Sequence, residues 1–125
     1  MPKTFDPETE ISDLSDKTVL VTGGNAGLGK ATVEALAGHN PKCLYLCCRR
    51  KESGEALVES IHQKHPNANI VVLQLDLSDL DSVKQCAKEF QARSGQLGLL
   101  ILNAGVSSTP YQKTKQGYEY QYGTD

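Results

Sequence analysis

The chain has 125 residues, with thirteen Lys and Arg against fifteen Asp and Glu for a formal net charge of −2. That length suits one domain around one core, and the near balance of charge gives no general attraction to nucleic acid or to an anionic membrane, so neither is expected as a partner. The longest apolar run, Leu97 to Leu102 with Gly98 inside it, is far short of the ~20 residues that a membrane-crossing helix requires, and no membrane segment is expected.

Residues 1–16 are polar and acidic, with Phe5, Ile11 and Leu14 as the substantial apolar side chains, and are expected to form a flexible lead-in. Lys17 to Val21 then reads as a buried strand, because β-branched residues and leucine run on without polar interruption and stop at glycines. The stretch Thr22-Gly23-Gly24-Asn25-Ala26-Gly27-Leu28-Gly29 follows, and a helical pattern begins near Lys30. Glycines between a strand and a helix let the backbone turn tightly and approach a pyrophosphate, which the free N–H groups and positive dipole end of the helix then face. Leu28, Ala31, Val33, Leu36 and Ala37 recur at helical spacing, and Gly38-His39-Asn40-Pro41 supplies the stop.

Cys43 to Cys48 is the second apolar run, and it changes abruptly to Arg49-Arg50-Lys51-Glu52 at its carboxyl end. The surface helix that follows, Glu52 to Gln63, ends before Pro66. Ile70 to Leu75 reads as a third strand, closed by Asp76-Leu77-Ser78-Asp79, with Ser78 the expected N-cap of a helix that carries Leu80, Val83, Cys86, Ala87 and Phe90 on one face and ends near Gly95. Leu99 to Leu102 is a fourth strand running into Asn103-Ala104-Gly105, after which the chain is loop-like through Gly117.

Strands alternating with helices predict β-α-β units with right-handed crossovers. The fold class expected is α/β, a three-layer, doubly wound parallel sheet of Rossmann type in strand order 3-2-1-4, with the ligand crevice at the carboxyl ends of strands 1 and 4. The glycine turn, Arg49-Arg50, Asp76-Leu77 and Asn103-Ala104-Gly105 all reach that rim. The four cysteines, at 43, 47, 48 and 86, have no signal peptide ahead of them and lack Cys-x-x-Cys spacing, so reduced core thiols in a cytoplasmic protein are expected. His62 and His65 lie three apart with no third ligand placed nearby, which reads as a solvated helix face; no metal site is assigned.

These residues resemble the short-chain dehydrogenase/reductase family, particularly its branch of retinol-dehydrogenase-like and fungal oxidoreductases, from Lys17 to about Thr124. The family pattern Thr-Gly-x-x-x-Gly-x-Gly matches at Thr22, Gly23, Gly27 and Gly29, an adenine-site Asp-Leu pair at Asp76 and Leu77, and an Asn-Ala-Gly motif at Asn103, Ala104 and Gly105. The tail, Gly117 to Gly123, looks like the start of that branch's next helix. The resemblance implies that Gly23 and Gly27 let backbone amides reach the pyrophosphate, that Gly29 lets the helix pack closely, and that Asn25, Ala26 and Leu28 line the same turn. Asp76 would accept from the adenine amino group while the Leu77 amide donates to the ring, and Asn103, Ala104 and Gly105 would bring backbone close to the nicotinamide-side ribose.

Cofactor choice rests on the end of the second strand, where a carboxylate about 20 residues beyond the glycines grips a ribose 2′-hydroxyl in an NAD enzyme. This chain has Arg49 there, followed by Arg50. A guanidinium favours a 2′-phosphate by roughly 1.5 to 3 kcal/mol, about tenfold to a hundredfold in affinity, so NADP(H) is expected over NAD.

Chemistry in the family resembles a Tyr-x-x-x-Lys pair after strand 5, with a serine on that strand. This chain is expected to stop before strand 5, as a fragment without catalytic residues, and its literal Tyr111-Gln-Lys-Thr-Lys115 reads as a mobile loop. The expected function is the NADP(H)-binding portion of an oxidoreductase that exchanges hydride with a small carbonyl or alcohol substrate. The alternative is a non-catalytic nucleotide-binding or regulatory module that pairs with a full-length relative. The open edge of Leu99 to Leu102 predicts poor solubility and weak cofactor binding for the isolated chain.

Overall fold

Four short apolar runs form the strands β1 (Thr18–Thr22), β2 (Cys43–Cys48), β3 (Ile70–Gln74) and β4 (Leu99–Ile101) in a computed structural model that describes residues 2–125. All neighbouring pairs are parallel and the order is β3-β2-β1-β4, as the alternation of strands and helices requires. β1 lies between β2, where Val19 pairs with Leu44, and β4, where Val19 pairs with Leu99. Both interior strands are covered on both faces, which explains their nearly unbroken apolar sequences.

The helices are α1 (Pro7–Glu10), α2 (Gly27–Ala37), α3 (Lys51–Lys64), α4 (Leu80–Arg93) and α5 (Tyr120–Thr124). Val33, Leu36, Leu57 and Ile61 from α2 and α3 close over Val19, Val21, Leu44 and Leu46 on one face of the sheet. On the other face, Cys86 of α4, with Val83 and Phe90 beside it, packs against Tyr45, Cys47 and Leu73. Phe90 meets the Tyr45 ring edge-on with centroids 4.9 Å apart, a favoured aromatic geometry. α3 comes close to the sheet at Gly54, where a Cβ would stand 2.7 Å from Val72 Cγ1 and 2.9 Å from Cys48 Sγ. Among the described residues, no helix is long and apolar enough to cross a membrane.

Several local expectations need correction. Within the expected lead-in, Leu14 is an anchor: it is 5% exposed within the core, its N–H donates to His39 O, and its carbonyl accepts from the N–H groups of Lys17 and Lys42. Leu28, placed on the inner helix face by its spacing, is 82% exposed. The helix starts at Gly27 rather than near Lys30, and Leu28 sits in its first turn, where the chain has not yet reached the sheet. The N-cap of α4 is Asp79, which accepts from Asp81 N–H. Ser78 instead turns back to Asp76, donating its N–H and O–H to Asp76 Oδ1.

The loop after Gly105 docks on the start of α4. Lys115 N–H donates to Ser78 O, and the Gln116 side chain accepts from Leu80 N–H and donates to Asp79 Oδ1. The chain then enters α5, whose N-cap Glu119 accepts from the N–H groups of Gln121 and Tyr122.

Candidate functional site

The turn between β1 and α2 has Gly23 at φ +64° and Gly27 at φ +55°, conformations that residues with a Cβ adopt only with strain. Neighbouring strands hold it on two sides. Gly23 N–H donates to Cys47 O at the end of β2 (2.8 Å), and Asn103 Nδ2 donates to Thr22 O (3.1 Å) and Gly23 O (3.2 Å) from the end of β4. Gly29 permits the crossing, since a Cβ there would overlap Gly23 O and Asn103 Nδ2. The sequence reading assigned Gly29 to packing of the helix; the close neighbours are the turn's own carbonyl and Asn103.

No side chain caps α2, whose N-cap is Ala26 in an extended conformation. Its first N–H groups therefore remain available to an anion.

The turn forms one wall of a cleft of about 380 Å³ at the carboxyl ends of the strands. Gly23 and Asn25 contribute from the turn, Arg49 and Arg50 from the end of β2, Asp76 and Leu77 from the end of β3, and Ala104 and Gly105 from the end of β4. Thus residues from after all four strands converge. Ala26, Gly27 and Leu28 stand outside the cleft wall at the start of α2, and Gly29 and Asn103 lie behind it, bracing the turn.

The cleft also takes in Cys48, Ser53, Leu75, Val106, Tyr120 and Thr124, which sequence reasoning did not select. Ser53 lies in the first turn of α3, one helical turn after Arg49, so its position was available from the predicted helix start. Tyr120 and Thr124 belong to α5, and only the tail's likeness to a helix start pointed toward them.

Electrostatically the cleft is mixed. Among the described residues neither Arg49 nor Arg50 has a carboxylate within ion-pair distance. Asp76 spends Oδ1 on Ser78, and its N–H donates to Ser82 Oγ at 2.9 Å, which fixes it to the first turn of α4. Burial pushes the Cys48 thiol up, and its S–H donates to Arg50 O at 3.1 Å, so it stands in the wall as a neutral group rather than a nucleophile.

Tyr111 and Lys115 do not share a helix. Tyr111 is 76% exposed in a bend, Lys115 pairs with Asp79 at 3.4 Å, and neither lines the cleft. His62 Nε2 lies 2.8 Å from Ala68 O, and among the described residues no group of three or more metal-ligating side chains gathers.

Comparison with known proteins gives a consistent picture. The sequence pattern of the family described as short chain dehydrogenase matches residues 17–121. A short-chain dehydrogenase/reductase of Armillaria gallica is 42% identical over 125 residues, covering 99% of this chain and 40% of the relative. Retinol dehydrogenase 11 of Homo sapiens is 41% identical over 117 residues, covering 94% of this chain and 36% of its own length. The chain therefore spans about 40% or less of the length of these curated relatives. Among solved structures, an NADPH-bound short-chain oxidoreductase from Pseudomonas aeruginosa PAO1, described as having an atypical catalytic centre, superposes with a TM-score of 0.70 at 31% identity, over 78% of this chain and 37% of that one. With its parallel 3-2-1-4 sheet, its glycine turn and a match across most of its length, this chain belongs to the short-chain dehydrogenase family.

Proposed function

We propose that the chain is the dinucleotide-binding portion of an NADP(H)-dependent oxidoreductase whose complete form moves a hydride between NADP(H) and a small carbonyl or alcohol substrate. One observation carries this reading: residues from the ends of all four strands line a single cleft beside an uncapped helix N-terminus. The cradle fits the group, since Gly23 and Gly27 hold left-handed backbone and no side chain caps the start of α2, which leaves its first N–H groups open to an anion. The NADPH-bound relative supports the same cofactor class.

When bound, the dinucleotide supplies or accepts the hydride. The chain's own residues bind and orient it. The N–H groups at the start of α2 face the pyrophosphate, with Gly23 keeping the turn clear of side chain. Arg49 and Arg50, which among the described residues have no carboxylate within ion-pair distance, offer charge-assisted hydrogen bonds to a 2′-phosphate and support NADP(H) over NAD. Asp76 and Leu77 hold the adenine, and Ala104 and Gly105 pass backbone along the far ribose. A cytoplasmic setting belongs to the same reading, supported by four thiols that are all unpaired.

Titration with NADPH and with NADH, for the protein and for Arg49→Asp, tests this. NADPH is expected to bind more tightly, and the substitution should lower the ratio of the two affinities by about tenfold or more. An unchanged ratio overturns the role of Arg49. NADPH binding by the purified chain with no turnover on a panel of carbonyls would place the hydride-transfer groups outside these 125 residues, whereas turnover would show that they lie within them.

A further inference from the structure

Cys47 and Cys86 are two buried thiols that the cleft does not use. Their Sγ atoms are 4.0 Å apart, one on β2 and the other on α4, and Cys47 is 0% and Cys86 6% exposed. They lie far apart in sequence and face each other between the sheet and α4. A disulfide has S–S of about 2.05 Å, so closing it requires the two sulfurs to come about 2 Å nearer, a displacement shared between the side chains and the elements that carry them.

Both elements hold the cofactor cleft in place. The carbonyl of Cys47 itself accepts from Gly23 N–H (2.8 Å) and Gly24 N–H (3.4 Å). At the other end of the link, Ser82 in the first turn of α4 accepts from Asp76 N–H at 2.9 Å. We infer that Cys47 and Cys86 form a reversible disulfide under oxidation by a peroxide, and that this link shifts the glycine turn and weakens dinucleotide binding. The binding part of the inference rests on the cofactor reading proposed above; the link itself does not.

The chemistry balances with hydrogen peroxide as oxidant. The Cys86 sulfur attacks one peroxide oxygen, the O–O bond breaks, and a sulfenic acid forms at Cys86 with release of water. Cys47 Sγ then displaces that hydroxyl as a second water. Two thiols lose two protons and two electrons, and one peroxide is reduced to two waters. The order follows from position and acidity. Cys86 is the more exposed of the two, at 6% against 0%, and its hydrogen bond with Cys47 holds its thiol below the ordinary range. The same contact and burial push Cys47 up, leaving it as the resolving partner.

Peroxide treatment of the folded protein, followed by blocking of free thiols, tryptic digestion and fragmentation mass spectrometry, tests the link. Cleavage after Lys42, Arg49, Lys84 and Lys88 places Cys47 in peptide 43–49 and Cys86 in peptide 85–88. The expected product joins these two through Cys47, is abolished in Cys86→Ala and in Cys47→Ala, persists in Cys43→Ala, and is reversed by dithiothreitol. Retention of all four thiols, or a link through Cys43 or Cys48, overturns the inference. Hydrogen exchange at the Gly23 and Gly24 amides, read without any nucleotide, should be faster in the oxidised form, and unchanged exchange rules out coupling to the turn. NADPH affinity should fall about fivefold or more on oxidation, and Cys86→Ala should resist the fall. Failure of the reduced protein to bind NADPH at all would count against the cofactor reading, while peptide mapping and amide exchange would still decide the switch.

Discussion

Asn103 donates to Thr22 twice, once from its side chain and once from its backbone, across 81 residues of sequence. Asn103 Nδ2 donates to Thr22 O at 3.1 Å, while Thr22 Oγ1 accepts from the N–H groups of Asn103 and Ala104, each at 3.1 Å. Thr22 is 6% exposed, so this hydroxyl satisfies two backbone donors that water reaches poorly. Thr22→Val keeps the shape and leaves those donors unpaired, which should cost about 1–3 kcal/mol in urea denaturation. Asn103→Asp should be worse than Asn103→Ala, because a carboxylate brings negative charge against two carbonyls to which the amide donates.

Gly29 and Gly27 should respond to alanine in opposite order to their backbone angles. Gly27 is left-handed with nothing within 4 Å of an added Cβ, so Gly27→Ala costs only the conformational penalty of about 1–2 kcal/mol. Gly29 lies within α2, where alanine gains about 1 kcal/mol of propensity, yet its Cβ would overlap Gly23 O and Asn103 Nδ2. Gly29→Ala should therefore be the more damaging change, in both denaturation midpoint and NADPH affinity. A milder effect than that of Gly27→Ala would contradict the bracing role.

Leu14 and Leu28 offer a second paired comparison. Leu14→Ala removes a side chain that is 5% exposed and should cost about 2–5 kcal/mol. Leu28→Ala removes one that is 82% exposed and should fall within about 0.5 kcal/mol of the parent. Thermal or urea unfolding of the two variants settles the order.

The docking of the 113–119 segment on α4 should be sensitive to acid. Asp79 is held below the usual carboxylate range, first by the donated hydrogen bond from Gln116, with Asp81 N–H and Lys115 adding to it. A depressed folded-state pKa stabilises the protein above the unfolded value of about 3.9 and is lost as pH falls through the lower folded value. The stability difference between the parent and Asp79→Ala should be constant from about pH 7 to about pH 5 and shrink below about pH 4. A difference independent of pH would mean that Asp79 acts through something other than its charge.

β4 is the last strand in the order, with Leu100 at 49% exposure and Leu102, just after the strand, at 76%. An unpaired apolar edge recruits other strands. Leu102→Lys should lower light scattering of the concentrated 125-residue chain without shifting its unfolding midpoint.

The sheet was readable because each strand is a short apolar run bounded by glycine, proline or charge, and alternation with helices leaves few parallel topologies. The rim of the site was readable for the same reason: in a parallel sheet, residues just after each strand share one end. Roles within the site were less accessible. Asn103 braces the turn instead of lining the cleft, and this depends on an 81-residue separation that no local pattern encodes. Leu28 and Leu14 exchanged their expected places because helical spacing does not say where a helix first touches the sheet, and one leucine in a polar stretch has no periodicity to reveal it. Ser78 and Asp79 are both good caps, and geometry chose between them.

The glycine turn is fastened by Cys47 O from β2 and by Asn103 from β4, and neither anchor is local to it. During synthesis, the turn emerges from the ribosome long before residue 103 does, so through most of elongation it has no brace from β4. On the dinucleotide-binding reading proposed above, the turn is fully braced only when a loop of some eighty residues closes on Thr22. On that reading, a dinucleotide adds its binding energy only to chains in which this closure has occurred.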